Sequence, residues 1–265
     1  MSIRPSSDTR RMADAAENFL RLLAAADAGA IEDLLGEGAS IQQPLWGAAR
    51  GAGEIQVMVS RAGGWLTDRR AVVAHSATTD GADRVVAEQV LRLVIDGRSV
   101  VLPIAVVADG RAGAPIAIRT YHSSWPLSNT HAVRLPLLSR DPSIVVPDVV
   151  GAYQVSLAAG DLEGILAAFE DDAYAREPSG GEYVYRGKAR LRQIYTMLFL
   201  TGGIPLEHCT LIDDGVRCAI EYNCSRFGKM QIVPQAGVAV YERGETGLLA
   251  AARIYDDVNP PGARS

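Results

Sequence analysis

Three residues in the C-terminal half of the chain have side chains suited to proton transfer. Glu177 precedes Pro178 at the end of a predicted strand, and Tyr153 and Tyr195 lie on predicted helices before and after that strand. A carboxyl group and two phenols that converge in an apolar cavity can move a proton and stabilise an oxygen that gains charge. Burial would raise the pKa of Glu177 toward neutrality. The alternative is that Glu177 is a solvated strand end and that both tyrosines fill the core.

A second carboxyl group could complete such a site. Glu207 and His208 begin a later predicted strand, where alternation directs one side chain into the cavity and the other outward. The pattern does not decide between them: Glu207 either pairs with Glu177 or is an exposed residue at a strand start. Asp256 could face the mouth of the cavity, although a carboxylate that caps a turn is the favoured interpretation.

The chain contains an internal duplication. The run LAAAD at residues 23–27 recurs as LAAGD at 157–161, and RTY at 119–121 recurs as RIY at 253–255, both 134 residues later. The same offset at both ends of a unit of about 110 residues predicts a tandem repeat. A length of 265 residues also fits two domains better than one.

Each repeat begins with helical periodicity and continues with short β-type runs. In the second repeat a helix is predicted over 189–200 and strands over 216–224 and 229–241. Helices followed by an antiparallel meander predict an α+β fold, with the helices on the concave face of a curved sheet. The predicted domains are residues 10–126 and 148–259, joined by a proline-containing linker at 127–147.

The second repeat resembles a known family. Its run VVGAYQVSLAAGDLEGILAAFEDDAYAREPSG, followed by YRGKARLRQIY, resembles bacterial ketosteroid isomerase and the SnoaL-like polyketide cyclases. These proteins share the cone-shaped, cystatin-like fold of nuclear transport factor two. The resemblance covers nearly all of residues 149–258 and is weaker in the first repeat. It implies two tandem cones that form a pseudo-dimer within one chain, and it leaves further oligomerisation open.

The resemblance also implies roles for single residues. The family's general base falls on Glu177, its oxyanion-stabilising tyrosine on Tyr153, and a tyrosine that supports the latter by hydrogen bonding on Tyr195. The family's protonated aspartate falls on Ala236 or Gly237, whose side chains cannot donate a hydrogen bond. Loss of that donor argues against isomerisation of a steroid enone and favours cyclase-type chemistry.

The first repeat lacks the catalytic side chains. Phe19 replaces the tyrosine and Gln43 the acid, and neither a phenyl ring nor a neutral amide can replace them in proton transfer. We therefore expect a silent repeat whose cone is narrow or plugged around Phe19 and Trp46. In the second cone we expect a pocket of a few hundred Å³.

Composition excludes several other classes of function. The net charge of −5 gives no support for nucleic-acid or anionic-membrane partners. The three cysteines, Cys209, Cys218 and Cys224, are interpreted as reduced thiols of a cytoplasmic protein. No motif for a nucleotide cofactor and no metal-ligand spacing is found, so neither a cofactor nor a metal is implied.

These features predict a cofactor-independent general acid/base enzyme of the polyketide cyclase or isomerase type. Its substrate would be a bulky, apolar polyketide- or steroid-like molecule, and its site residues Glu177, Tyr153, Tyr195 and Glu207. Tandem relatives that open polyether epoxides use a second carboxylate to protonate the epoxide, and the resemblance implies that role for Glu207. The alternative is a non-catalytic protein that binds a small molecule or acts as a scaffold.

Overall fold

The duplication is confirmed by a computed structural model, which describes residues 7–110 and 113–260. The chain divides into two compact units between His122 and Ser123. Each unit contains one six-stranded sheet, and the two sheets have the same strand order.

The first unit has three helices and six strands among its described residues. In chain order they are α1 (Ser7–Ala24), α2 (Ala28–Leu35), β1 (Ser40–Gln43), β2 (Gly47–Arg50), α3 (Gly51–Asp68), β3 (Val72–Asp80), β4 (Arg84–Ile95), β5 (Arg98–Asp109) and β6 (Ala117–Tyr121). The sheet order is β2-β1-β6-β5-β4-β3.

The second unit repeats this arrangement after one short additional helix, α4 (Trp125–Ser128). Its other elements are α5 (Asp148–Ala159), α6 (Leu162–Ala168), β7 (Phe169–Arg176), β8 (Val184–Arg186), α7 (Lys188–Leu198), β9 (Glu207–Asp213), β10 (Arg217–Phe227), β11 (Met230–Arg243) and β12 (Leu249–Tyr255). The sheet order is β8-β7-β12-β11-β10-β9. The order of helices and strands thus agrees with the predicted α+β architecture.

Both sheets are mixed, because the predicted antiparallel pairing is replaced by parallel pairing at one strand pair in each unit. Strand β1 runs parallel to β6, and β7 runs parallel to β12. A hairpin turn forces antiparallel pairing, but β7 and β12 are far apart along the chain and no hairpin sets their relative direction. Parallel pairing brings the carboxyl ends of β7 and β12 to the same edge of the sheet, and this edge carries the site.

A capped turn between two helices positions the first wall of the site. Helix α5 ends at Ala159 and is capped by Gly160, whose φ of 71° lies in the left-handed region. Asp161 then caps α6 by accepting a hydrogen bond from the Gly164 backbone N–H at 3.0 Å. The first unit repeats this cap with Asp27 and the backbone N–H of Ala30. The recurring Ala-x-Asp sequence therefore makes the same helix–helix corner in both units.

Residues 127–147, predicted as a linker, belong to the second unit. Their backbone is tied to the strands: the Ala236 backbone N–H donates to the Arg134 carbonyl oxygen at 2.8 Å, and the Asn223 side-chain amide donates to the Leu138 carbonyl oxygen at 2.9 Å. The three cysteines are free and buried. Among the described residues, no helix combines the length and apolar character needed to cross a bilayer.

Candidate active site in the second unit

A cavity of about 80 Å³ lies between helices α5 and α7 and the sheet of the second unit. Three of the four predicted site residues, Tyr153, Glu177 and Tyr195, line it. Most of its remaining wall is apolar, including Leu157 and Ile254. The expected volume of a few hundred Å³ is too large. Side chains from the helices and the sheet fill most of the space, and the cavity that remains suits a small molecule or one end of a larger one.

Strand alternation and parallel pairing bring the carboxyl groups of Glu177 and Asp256 to one wall of the cavity. Glu177 directly follows β7 and Asp256 directly follows β12, and the parallel register pairs Arg176 with Arg253. Each acid follows an apolar cavity residue two positions earlier, Ala175 or Ile254. Side chains two residues apart along a strand share one face, so both acids point into the same space.

Within the described residues, the backbone of Glu177 is hydrogen-bonded and its carboxyl group is not. Its backbone N–H donates to the Tyr183 carbonyl oxygen at 3.0 Å, and its own carbonyl oxygen accepts from the Gly180 N–H at 2.9 Å. Among the described residues, none donates a hydrogen bond to its carboxyl group. Burial, and secondarily the charge of Asp256, raise the pKa of Glu177 from 4.5 to about 8. The side chain is therefore mostly protonated at pH 7.

Tyr153 and Tyr195 form the expected pair. Their hydroxyl oxygens are 2.7 Å apart, and both rings are buried. Burial is the main cause that raises the pKa of both phenols above the usual value, so both stay neutral. One hydroxyl hydrogen is used in the mutual bond and the other is left over. The pair therefore offers one hydrogen-bond donor to an oxygen atom placed in the cavity.

Asp256 has a different environment from Glu177. Its Oδ2 accepts a hydrogen bond from the Tyr222 hydroxyl at 2.7 Å, while its Oδ1 is buried without a partner in the described structure. Burial raises the pKa of Asp256 to about 6, although the bond from Tyr222 opposes the shift. The neighbouring Asp257 accepts hydrogen bonds from the Ala132 backbone N–H and from the Ser123 and Ser124 hydroxyls, and so ties the end of β12 to an earlier segment of the same unit.

Glu207 does not line the cavity, contrary to the predicted pair with Glu177. In the β9–β10 register Tyr222 lies opposite His208, whereas Thr210 lies opposite Glu221, so Cys209 forms a bulge between them. His208 shares the cavity-side face with Tyr222, and Glu207 points to the other face. Its carboxylate there accepts a hydrogen bond from the Ser225 hydroxyl at 3.3 Å.

His208 belongs to a polar chain that ends at the cavity wall. Its Nε2 lies 3.2 Å from the Gln154 side-chain oxygen, and the Gln154 amide donates to the Tyr241 hydroxyl at 2.7 Å. Burial, followed by the charge of Arg140, lowers the pKa of His208, which favours the neutral ring. These hydrogen bonds fix the Tyr241 hydroxyl. The Tyr241 ring packs against the Tyr153 ring, and the two ring centroids are 5.1 Å apart.

The first unit has only a remnant of this cavity. Its volume is about 10 Å³, room for about one water molecule. Gln43 and Trp46 line it, and Phe19 is fully buried nearby in the core. The Gln43 side-chain oxygen accepts a hydrogen bond from the Leu45 backbone N–H at 2.6 Å. The expected narrow, plugged cone is therefore present.

The cavity wall contains three polar residues that the sequence did not predict, Tyr222, Gln235 and Tyr241. It also contains Asp256, for which the mouth of the cavity and a capped turn were both left open. The signal for Asp256 was the alternation of Ile254, Asp256 and Val258, which all line the cavity.

Known structures with a similar fold come from several bacteria, while no protein-family model matches the chain. A Sinorhizobium meliloti protein, provisionally assigned as a polyketide cyclase, is 16% identical, with a TM-score of 0.36 over 41% of this chain and 94% of its own. A Catenulispora acidiphila protein with a ketosteroid isomerase-like fold, solved with trimethylamine, is 12% identical, with a TM-score of 0.36 over 44% of this chain and 91% of its own.

An NTF2-like protein of unknown function from Cytophaga hutchinsonii is 11% identical, with a TM-score of 0.37 over 43% of this chain and 98% of its own. Each match covers nearly all of the other protein and less than half of this chain. The fold of each unit rests on its own element order and strand pairing, and the chemistry of the site rests on its own side chains.

Proposed function

We propose that the second unit is a cofactor-independent enzyme that transfers protons on an apolar carbonyl compound, in an isomerisation or a ring-forming reaction. Glu177 exchanges a proton with the substrate. The Tyr153–Tyr195 pair holds the substrate oxygen.

The observation that carries this proposal is the carboxyl group of Glu177, which lines the cavity and accepts no hydrogen bond from the described residues. A carboxyl group without a hydrogen-bond donor in a cavity wall loses stability when it ionises, which raises its pKa to about 8. A proton-transfer group works best when its pKa lies near the working pH. A carboxyl group kept only for structure would be expected to have a hydrogen-bond partner.

The tyrosine pair supports a carbonyl oxygen as the group held in the site. A neutral phenol that is already oriented by a second phenol loses little freedom when it donates to the oxygen. A donor of this kind is worth about 2.7–4 kcal/mol when charge develops on that oxygen. The apolar remainder of the wall favours a hydrocarbon body for the substrate.

The size of the cavity narrows the substrate class. About 80 Å³ is smaller than the pockets of about 300–1,000 Å³ that hold drug-sized ligands. The ligand is therefore a small cyclic or branched carbonyl compound, or the reacting end of a larger apolar molecule. A polyketide- or steroid-like substrate would bind in the second way.

Deuterium exchange tests the proposed function without knowledge of the natural substrate. A panel of cyclic ketones from one to three fused rings is incubated with the full chain in D₂O, and loss of the α-proton signals is followed by NMR. We expect catalysed exchange for at least one ketone, and a loss on the order of 10²–10⁴-fold in Glu177→Gln.

The matched control is Glu245→Gln, which changes an exposed glutamate of the same unit. It should exchange the ketone at the wild-type rate. Ketone binding without any catalysed exchange would favour the non-catalytic binding protein instead. Equal rates for wild type and Glu177→Gln would remove Glu177 from the chemistry.

A further inference from the structure

A glycine in the middle of the sheet makes room for a tyrosine–aspartate pair at the cavity wall. Gly237 on β11 lies opposite Tyr222 on β10, and on its other side it is adjacent to Asp256 at the end of β12. A Cβ atom at position 237 would lie 2.6 Å from the Tyr222 Cζ and hydroxyl oxygen, and 2.8 Å from the Asp256 Cβ. The Tyr222 hydroxyl can therefore cross β11 and reach Asp256 only because position 237 has no side chain.

The pair leaves one carboxylate oxygen free in a buried position. Tyr222 donates to Oδ2, and Oδ1 is buried and unpartnered within the described residues. A phenol that donates to a carboxylate stabilises its ionised form. Oδ1 is then an acceptor without a donor, and its hydrogen-bonding capacity is available to a ligand in the cavity.

Glu177 and Asp256 thus differ in geometry although they share a cavity wall. Asp256 has a donor that favours the carboxylate. Glu177 has none among the described residues, which favours the neutral acid. The described residues that line the cavity include no lysine, arginine or histidine, so two neighbouring carboxyl groups there do not both ionise easily. As pH rises, Asp256, which accepts a hydrogen bond from Tyr222, therefore loses its proton before Glu177 does.

We propose that Asp256, oriented by Tyr222 across Gly237, is the base of this site, and that Glu177 is its acid. This assignment rests on the proposed function and gives Glu177 the role of proton donor in the resting enzyme. In the first step the Asp256 carboxylate takes a proton from the carbon next to the substrate carbonyl, and the C–H electron pair forms the C=C bond of an enol. The carbonyl π pair moves to oxygen, which takes the Glu177 proton.

The step conserves protons and charge. It leaves neutral Asp256, ionised Glu177 and a neutral enol. Ketonisation reverses the transfers: Asp256 returns a proton to carbon, at the original position or at a conjugated one, and Glu177 recovers the proton from oxygen. The Tyr153 hydroxyl donates to the same oxygen throughout. No other reactant is required.

The pKa values and the ionisable neighbours of the two acids agree with Asp256 as the base and Glu177 as the acid. The pKa is about 6 for Asp256 and about 8 for Glu177, so between these values the first is ionised and the second protonated. The ionisable groups that influence Glu177 are Asp256 and three phenols, those of Tyr153, Tyr195 and Tyr185. The groups coupled to Asp256 are Glu177 and, besides it, Tyr222, Asp257, Cys224 and Tyr241. Within the described part of the chain, none of these neighbours is a cation.

A purely structural role for Asp256 makes different predictions. A structural Tyr222–Asp256 bond would tie β10 to β12, and its loss would lower stability without changing the pH dependence of the rate. The base assignment requires a bell-shaped profile of kcat/KM for ketone exchange, with limbs near pH 6 and pH 8.

The test compares three variants of the full chain, Asp256→Asn, Tyr222→Phe and Glu177→Gln. Asp256→Asn keeps the size and the acceptor for Tyr222, and it should lower exchange by about 10²–10⁴-fold. Tyr222→Phe keeps the base but removes its donor, so the low-pH limb should move to higher pH. Wild-type exchange in Asp256→Asn together with its loss in Glu177→Gln would overturn the base assignment and leave the proposed function intact.

A second measurement needs neither a substrate nor full activity. Infrared difference spectra between wild type and each carboxyl variant at pH 7 report the protonation state of the deleted group. We expect an ionised carboxylate in the Asp256 difference and a neutral carboxylic acid in the Glu177 difference. The reverse order, or two ionised groups, would overturn the assignment even if no ketone in the panel reacts.

Discussion

The buried acid Glu177 should make the stability of the second unit depend on pH in an unusual direction. The folded unit keeps its proton until about pH 8, whereas the unfolded chain loses it near 4.5. Between these values the unfolded state binds fewer protons, so the free energy of unfolding falls as pH rises. The stabilisation by this group is fully present below 4.5 and is lost as pH rises through 8.

The magnitude follows from the difference between the two pKa values. Each pKa unit corresponds to about 1.4 kcal/mol, so the free energy of unfolding falls by on the order of 4 kcal/mol between pH 5 and pH 9. Glu177→Gln removes this titration, because an amide does not ionise in that range. For a unit of this size the change corresponds to a difference in Tm on the order of 10 °C.

Scanning calorimetry of wild type and Glu177→Gln at pH 5, 7 and 9 measures the effect. In the unfolding transition of the second unit, the Tm of Glu177→Gln minus the Tm of wild type should increase steadily from pH 5 to pH 9. Glu245→Gln should follow wild type at every pH, because that side chain is exposed. A difference between wild type and Glu177→Gln that stays constant from pH 5 to pH 9 would show that Glu177 is ionised in the folded protein.

Two further substitutions test the positioning of the site. Tyr153→Phe removes a hydroxyl from the paired phenols, and the rate of ketone exchange should fall on the order of 10²-fold, measured by NMR; an unchanged rate would exclude that hydroxyl as an oxygen-stabilising donor. Gly237→Ala places a Cβ atom against Tyr222 and Asp256 and should lower the free energy of unfolding by about 1–3 kcal/mol in urea titrations. Its control, Gly64→Ala, meets open space on a helix and should be neutral or stabilising; equal effects of both changes would contradict the role of the glycine niche.

Periodicity and the repeat predicted the elements well. The helix predicted over 189–200 is observed as Lys188–Leu198, and the strands predicted over 216–224 and 229–241 are β10 and β11 with somewhat different ends. The elements follow from local patterns of apolar residues, which the sequence displays directly. The convergence of Tyr153 and Glu177 came from the family resemblance, since no local pattern relates positions so far apart.

The parts that were missed depend on pairing between distant strands. The parallel pairing of β7 and β12 places Asp256 beside Glu177. The pattern of either strand alone does not predict that these two residues are neighbours. The Cys209 bulge reverses the alternation of β9, and so decides that His208, not Glu207, shares the cavity-side face. A bulge adds one residue without an obvious mark in the sequence. Both features are properties of the sheet, not of any one strand.

The most direct test of the account compares two equivalent positions of the duplicated chain. Glu177 and Gln43 lie 134 residues apart, at the same place in the two units, and both line their unit's cavity. The measurement is the rate of ketone α-proton exchange at pH 7 for Glu177→Gln and Gln43→Ala. We predict a loss on the order of 10²-fold or more for Glu177→Gln and the wild-type rate for Gln43→Ala. Similar losses for both, or no loss for either, would contradict the claim that the second unit alone performs proton transfer through Glu177.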